Sequence, residues 1–329
     1  MSSEAARLRT VTFPPVALER YDAAALLGFL ATRAVTGVEQ ATAGTYQRVL
    51  PVSLGGGLLR VRFEPAGTRT TATVHVTAPS PAVAEAAGAA ARHLFDLDGD
   101  GDAVHAALGA DRWLGPLLAR RPGLRVPGAV DPDEIVVRAI VGQQVSVPAA
   151  RTVLNGLAER YGEPHDGGGA EGGAEDGRGD EGDAALHRRF PTASRLAALE
   201  PADLPMPRAR GACLIGACRA LADGALRFTD DAGRPLEPAE LRAQLLRLRG
   251  VGPWTADYIV LRTTTDRDVF LAGDLAVRRA AGRLGMADDQ AGLARLAERW
   301  RPWRAYAVLH LWASLADDVP PPTGAVDRS

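Results

Sequence analysis

Residues 248–258 read LRGVGPWTADY, and sixteen positions after Tyr258 stands Asp274, directly ahead of LAVRRAAGRLG. Gly250 and Gly252, either side of Val251, permit a positive φ and let another backbone approach closely. Pro253 restarts a helix at the one position where its missing N–H costs nothing. The first turn of that helix therefore directs free N–H groups outward, a ready phosphate site. Trp254 and Tyr258 lie four apart, on one helical face. Asp274 is placed as the N-cap of the next helix. Two readings follow. One is an ordinary helix–turn–helix whose aromatic residues fill a core. The other is a DNA-binding hairpin that carries a catalytic carboxylate. A Gly-X-Gly turn between helices does not by itself decide between them.

The rest of the chain must position these residues. Tyr21–Val35 predicts a helix with Leu26, Leu27, Leu30 and Val35 toward a core. Alternating runs follow at Thr45–Val52, Leu58–Glu64 and Thr71–Thr77, separated by Gly and Pro clusters as in an antiparallel meander. Pro81–Phe95 returns to helix. From there the pattern is helical throughout. Asp131 as N-cap, Pro132 at the first helical position and Glu134 at the third suggest a capping box. A break at Gly142 and a restart near Pro148 follow. The helical stretches continue to RPWRAYAVLHLWASLA, read as a helix begun at Pro302. The expected fold class is an α+β N-terminal antiparallel-sheet domain (1–95) followed by a mostly α-helical, two-lobed core (96–319). The core is interrupted by an acidic insertion at 163–183, and the chain ends in a tail at 320–329; both are expected to be disordered.

Composition narrows the classes. No apolar run reaches membrane-span length, and the N-terminus lacks an apolar signal region. Cys213 and Cys218 are the only cysteines, read as small buried hydrophobes in a reduced cytoplasmic protein. All 38 basic residues are arginine, so no lysine side chain is present to form a Schiff base. The net charge of −2 hides an uneven distribution: residues 163–183 carry −7, which leaves +5 on the remainder. Asp96–Ala107 imitates the start of a calcium loop, but Ala107 stands where the bidentate Glu belongs, and a turn before a helix is the expected structure.

LRGVGPWTADYIVL followed by DVFLAGDLAVRR resembles the helix-hairpin-helix DNA glycosylases, and the similarity is closer to the AlkA-type bacterial DNA-3-methyladenine glycosylase II branch. LLGFLATRAV, FDLDGD, ARRPGLRVPGAVDPDEIVVRAIVGQQVSV, MPRARGACLIGACRAL and ERWRPWRAYAVLHLW resemble that branch in the same order, from Phe13 to Ala316. The resemblance implies an active site in a cleft between domains, and hydrolysis of the N-glycosidic bond of alkylated bases flipped out of duplex DNA. Asp274 matches the catalytic carboxylate, which would stabilise an oxocarbenium-like sugar and orient or deprotonate the attacking water. Phe29, Trp254, Tyr258 and Trp312 match the base pocket, where electron-rich rings favour a cationic purine such as 3-methyladenine or 7-methylguanine. Trp254 occupies the position at which glycosylase/lyase relatives carry a nucleophilic lysine, so water is the expected nucleophile.

Gln144 matches the wedge that fills the gap left by the flipped base, where the best-known branch member has Leu. Gly250, Val251 and Gly252 match the phosphate-gripping hairpin. The carbonyls of Leu246, Leu248 and Val251 match a structural monovalent cation site (Na+ or K+), and no cofactor is expected for catalysis. Some relatives are fused to a zinc-containing alkyl-transfer domain; its activity is not expected here. The expected partner is double-stranded DNA containing alkylated bases, met by a monomer in the bacterial cytoplasm at the nucleoid, with no membrane. Alternatives are a glycosylase for deaminated or oxidised purines and a catalytically inactive DNA-binding module.

Overall fold

The computed structural model describes residues 8–165 and 186–317. The three alternating runs form β4 (Thr45–Val49), β5 (Leu58–Ala66) and β6 (Arg69–Ala78), and a strand outside those runs, β3 (Glu39–Thr42), precedes them in the meander. Two short strands, β1 (Arg9–Thr12) and β2 (Val16–Leu18), both pair with the far edge of β6, completing a six-stranded antiparallel sheet in the order β1-β6-β5-β4-β3. Period two puts Leu59, Val61 and Phe63 of β5 beside Ala72, Val74 and Val76 of β6 on one buried face. Two helices cover that face: α1 (Ala23–Ala31) and α2 (Pro81–Leu94). α1 is shorter than the sequence suggests. It ends at Ala31, so Val35 lies outside it and packs in a different core.

The helical part contains α3 (Gly101–Leu108), α4 (Leu114–Arg120), α5 (Pro132–Val141), α6 (Val147–Tyr161), α7 (Ala193–Ala197), α8 (Arg208–Ala222), α9 (Pro238–Leu246), α10 (Pro253–Thr263), α11 (Leu275–Arg283), α12 (Gln290–Ala297) and α13 (Arg304–Ser314). The last of these starts at Arg304 rather than Pro302. Among the described residues no strand follows β6, only isolated bridges at Pro164–Arg188 and Thr229–Pro235. Apolar side chains collect in two cores. One holds Ile140, Leu157, Leu214 and Leu245. The other holds Leu114, Val277, Trp300 and Tyr306. α10 serves both: Ala256, Ile259 and Val260 pack in the first, Leu261 in the second, and Tyr258 touches each.

Asp131 does cap α5, accepting from Asp133 N at 3.0 Å. Glu134 does not complete a capping box. Its carboxylate turns inward and binds Arg48 Nη2 of β4 at 2.8 Å and Arg138 Nε at 2.6 Å. Arg138 Nη2 also holds Glu39 of β3 at 2.5 Å, and Glu39 accepts from Tyr46 OH. Arg48 and Glu134 are about as buried as any core leucine, with side chains 5% and 3% exposed. This buried lattice joins the sheet to the helices.

The acids of the mock calcium loop have protein partners. Asp96 binds Arg267 and Tyr306, Asp98 pairs with Arg92, and Asp100 caps α3. Among the described residues no group of three or more side chains is placed to hold a metal, and no helix is long and apolar enough to cross a membrane. Of the acidic tract, Glu163–His165 are described. Pro164 bridges to Arg188 and His165 N donates to His187 O at 2.8 Å, so the base of the tract is paired backbone. Its remainder, and the 320–329 tail, lie outside the described residues.

Candidate active site

The hairpin is α9, a turn and α10. Val251 N donates to Leu248 O at 3.1 Å, closing the turn. Gly250 has φ +90°, and a Cβ there would meet Cys213 Cβ and Sγ at 2.9 Å, so both conformation and space require glycine. Gly252 is the N-cap of α10, which has no side-chain cap. Its leading N–H groups are left for an outside acceptor. Arg242 and Asp257 brace the two helices at 2.5 Å. The carbonyls of Leu246 and Val251 receive no hydrogen bond from the described residues, whereas that of Leu248 is taken by Val251 N. Such a set of carbonyls can accept a hard monovalent cation.

Asp274 caps α11 as its sequence position suggests, accepting from Val277 N at 2.8 Å. Two further donors were not foreseen. Trp254 Nε1 of α10 donates to Asp274 Oδ2 at 2.8 Å, and Trp312 Nε1 of α13 donates to Oδ1 at 3.0 Å. Three N–H groups from three helices thus converge on a carboxylate that is 8% exposed. An acceptor with no competing donor suits this setting, and the side chain is fixed before any ligand arrives.

Asp274, Trp254, Tyr258, Trp312 and Phe29 all line one open cavity of about 800 Å³. Trp254 stacks on Tyr258 with centroids 5.6 Å apart and planes at 17°. Phe29, from α1, is already covered: the Arg33 guanidinium lies 3.7 Å from its ring centroid, with Arg262 at 5.3 Å. Arg262 is anchored on Pro127 O (2.7 Å) and Gly128 O (2.8 Å), and gives its Nη1 to Tyr258 OH at 2.8 Å. Burial works against the Arg33 charge and lowers its pKa. The Asp274 carboxylate with its two indoles and the guanidinium groups of Arg33 and Arg262 thus line the same space. Nothing in residue spacing or periodicity singles out Arg33 or Arg262 as part of this cavity.

Gln144 does not line the cavity. It sits exposed in the turn between α5 and α6, in the left-handed region at φ +56°, a conformation that a non-glycine residue adopts at some cost. Its neighbours Val145 and Val147 line the cavity and stand 38% and 37% exposed. Gln143 ties this turn to the hairpin through Gly250 O at 3.1 Å and Thr255 Oγ1 at 2.9 Å. The exposed turn and the hairpin are thus linked by one side chain.

Residues 17–131 match the family model of the AlkA N-terminal domain. Over 295 residues the chain is 37% identical to DNA-3-methyladenine glycosylase 2 of Escherichia coli, covering 89% of this chain and 93% of that protein. It is also 37% identical to the probable bifunctional transcriptional activator/DNA repair enzyme AlkA of Mycobacterium tuberculosis, covering 89% of this chain but 55% of that one. The chain thus spans about half the length of that curated relative. A solved 3-methyladenine DNA-glycosylase from Archaeoglobus fulgidus superposes with a TM-score of 0.70 at 18% identity, over 92% of this chain and 98% of the other. This last likeness is one of fold.

Proposed function

The chain belongs to the AlkA-type DNA-3-methyladenine glycosylases, and on that footing we propose that it hydrolyses the N-glycosidic bond of alkylated bases in duplex DNA, in base-excision repair. The observation that carries this reading is Asp274, gripped by Trp254, Trp312 and its own helix at the wall of the cavity. As the base departs, C1′ of the sugar becomes cationic, and a fixed carboxylate stabilises that charge without reorganising. The same carboxylate orients and deprotonates the attacking water. An alkylated purine enters already positive, so it is a good leaving group. The rings of Phe29 and Tyr258 already face guanidinium groups, so the attraction for a cationic base falls to Trp254, Trp312 and Asp274. The direct test is release of 3-methyladenine and 7-methylguanine from methylated duplex DNA. No release above background from a folded sample would overturn the reading.

Water is the nucleophile in this proposal. Trp254 is committed to Asp274 through its indole N–H, and the chain contains no lysine. Strand nicking at the abasic product is therefore expected to be absent, and borohydride should trap no protein–DNA adduct. An adduct that persists after the N-terminal amine is blocked would show a nucleophile this scheme lacks.

The hairpin at Gly250–Gly252 would take a backbone phosphate on the open N-terminus of α10, with Leu246, Leu248 and Val251 holding a Na+ or K+ ion that shares the phosphate's charge. Gln144 would fill the gap left by the flipped nucleotide. An apolar wedge holds such a gap better than an amide, and flipping costs a few kcal/mol. Gln144→Leu is thus expected to tighten binding to an abasic-analogue duplex by about 3- to 10-fold, and Gln144→Ala to weaken it by a similar factor. Indistinguishable affinities for the three proteins would remove Gln144 from the DNA interface.

A further inference from the structure

Tyr258 has more chemistry than a stacking wall requires. Its hydroxyl lies 2.8 Å from Arg262 Nη1. A guanidinium offers only donors, so the phenol oxygen is the acceptor in that pair. The phenol's own proton then needs a separate acceptor, and among the described residues none receives it. The ring lines the cavity and stacks directly on Trp254, whose indole holds Asp274. A base whose sugar lies at Asp274 would thus have a spare O–H beside it in the same chamber.

We infer that the Tyr258 hydroxyl donates its proton to the departing base, giving the enzyme a general acid for neutral purines that carry no activating charge. This rests on the glycosylase reading above. In the step, the bond between C1′ and N9 breaks and both electrons go to the base. Water oxygen bonds to C1′ and passes a proton to the Asp274 carboxylate. The Tyr258 proton moves to a ring nitrogen or carbonyl oxygen of the base, and the phenolate remains hydrogen-bonded to Arg262. Solvent returns the proton to Tyr258 and takes the one from Asp274, so the net reaction is hydrolysis. A 7-methylguanine leaves as a neutral molecule and gains little from the donor. Hypoxanthine would leave as an anion and gains much.

The surroundings of the phenol suit that role. Burial raises its pKa, but the charges of Arg262, Arg33 and Arg138 and the Arg262 hydrogen bond outweigh burial and bring it below the usual tyrosine value. A phenol so placed gives up its proton more readily than one in water, and a nearby pair of guanidinium groups stabilises what remains.

The test compares single-turnover release of hypoxanthine and of 7-methylguanine from otherwise identical duplexes by the wild type and by Tyr258→Phe. The variant keeps the ring and loses the O–H donor together with the oxygen that accepts from Arg262 Nη1, so the readout is the difference between the two bases. Hypoxanthine release is expected to fall by about 100-fold more than 7-methylguanine release, at the lower end of general-acid effects. Equal losses on both bases, or no loss on either, would overturn the inference. If Tyr258→Phe lacks a cooperative melting transition, 3-fluorotyrosine at position 258 replaces it. The more acidic phenol should raise the hypoxanthine to 7-methylguanine rate ratio, and an unchanged or lowered ratio overturns the inference. A wild type that releases 7-methylguanine but no hypoxanthine defeats this inference alone. Release of neither base defeats the glycosylase reading itself.

Discussion

Asp274→Asn is expected to cut base release from methylated duplex DNA by about 10²- to 10⁴-fold, while duplex affinity and melting temperature stay near wild type. Asparagine caps a helix as well as aspartate does, so α11 keeps its start and Val277 N its acceptor. What disappears is the charge that the proposed mechanism sets opposite the forming cation. The substitution also presents an NH2 group to one side of the site. With the amide oxygen toward Val277 N and Trp312 Nε1, the nitrogen faces Trp254 Nε1, donor against donor. Trp254 should then loosen, which quenching of its fluorescence by acrylamide can report. If release falls by less than about ten-fold, the carboxylate is a cap and no more, and the chemistry must be sought elsewhere in the cavity.

Glu134→Gln is expected to destabilise the fold by about 3–5 kcal/mol, read as a fall in the urea midpoint. Removing one charge strands Arg48, which is 5% exposed and has its remaining carboxylate, Glu39, at 3.9 Å. Burial alone would push the Glu134 pKa up, but Arg48 and Arg138 hold it down at about 2. Its folded pKa thus lies below its unfolded value near 4.5. The stability it confers is fully present above about pH 4.5 and is lost as pH falls toward 2. Wild type should therefore weaken across that window, while Glu134→Gln, already weak, should show a flatter acid limb. Parallel acid limbs for the two proteins would show that Glu134 is not held by the arginines.

What the sequence revealed and what it hid divide along physical lines. The strands β4, β5 and β6 were legible because period-two alternation and Gly or Pro punctuation are local. β1, β2 and β3 run three or four residues each and owe their existence to partners elsewhere in the sheet. The hairpin, the cap at Asp274 and the shared face of Trp254 and Tyr258 were local too. The indole grips on Asp274 span 20 and 38 positions, beyond any periodicity. The Glu134 lattice was half visible. Glu134 and Arg138 stand one helical turn apart, and Glu39 faces Arg48 in the β3–β4 register. Nothing in either pair says that it is buried, so Glu134 was read as an N-terminal cap partner instead. Arg33 and Arg262 were missed because an arginine in a sequence is by default a solvated one.

One helix carries the hairpin, Trp254 and Tyr258, and runs through both helical cores: α10 packs Ile259 in one and Leu261 in the other. Two bodies that share an axle cannot swing apart like jaws without tearing packed side chains from one of them. Under the proposed function, lesion search by this architecture would be a contest of stiffness, in which the protein holds its shape and the double helix yields. A damaged step that stacks poorly bends and opens at lower cost than a sound one, so the first discrimination between sound and damaged DNA would fall on the mechanics of the substrate, before any side chain in the cavity touches the base.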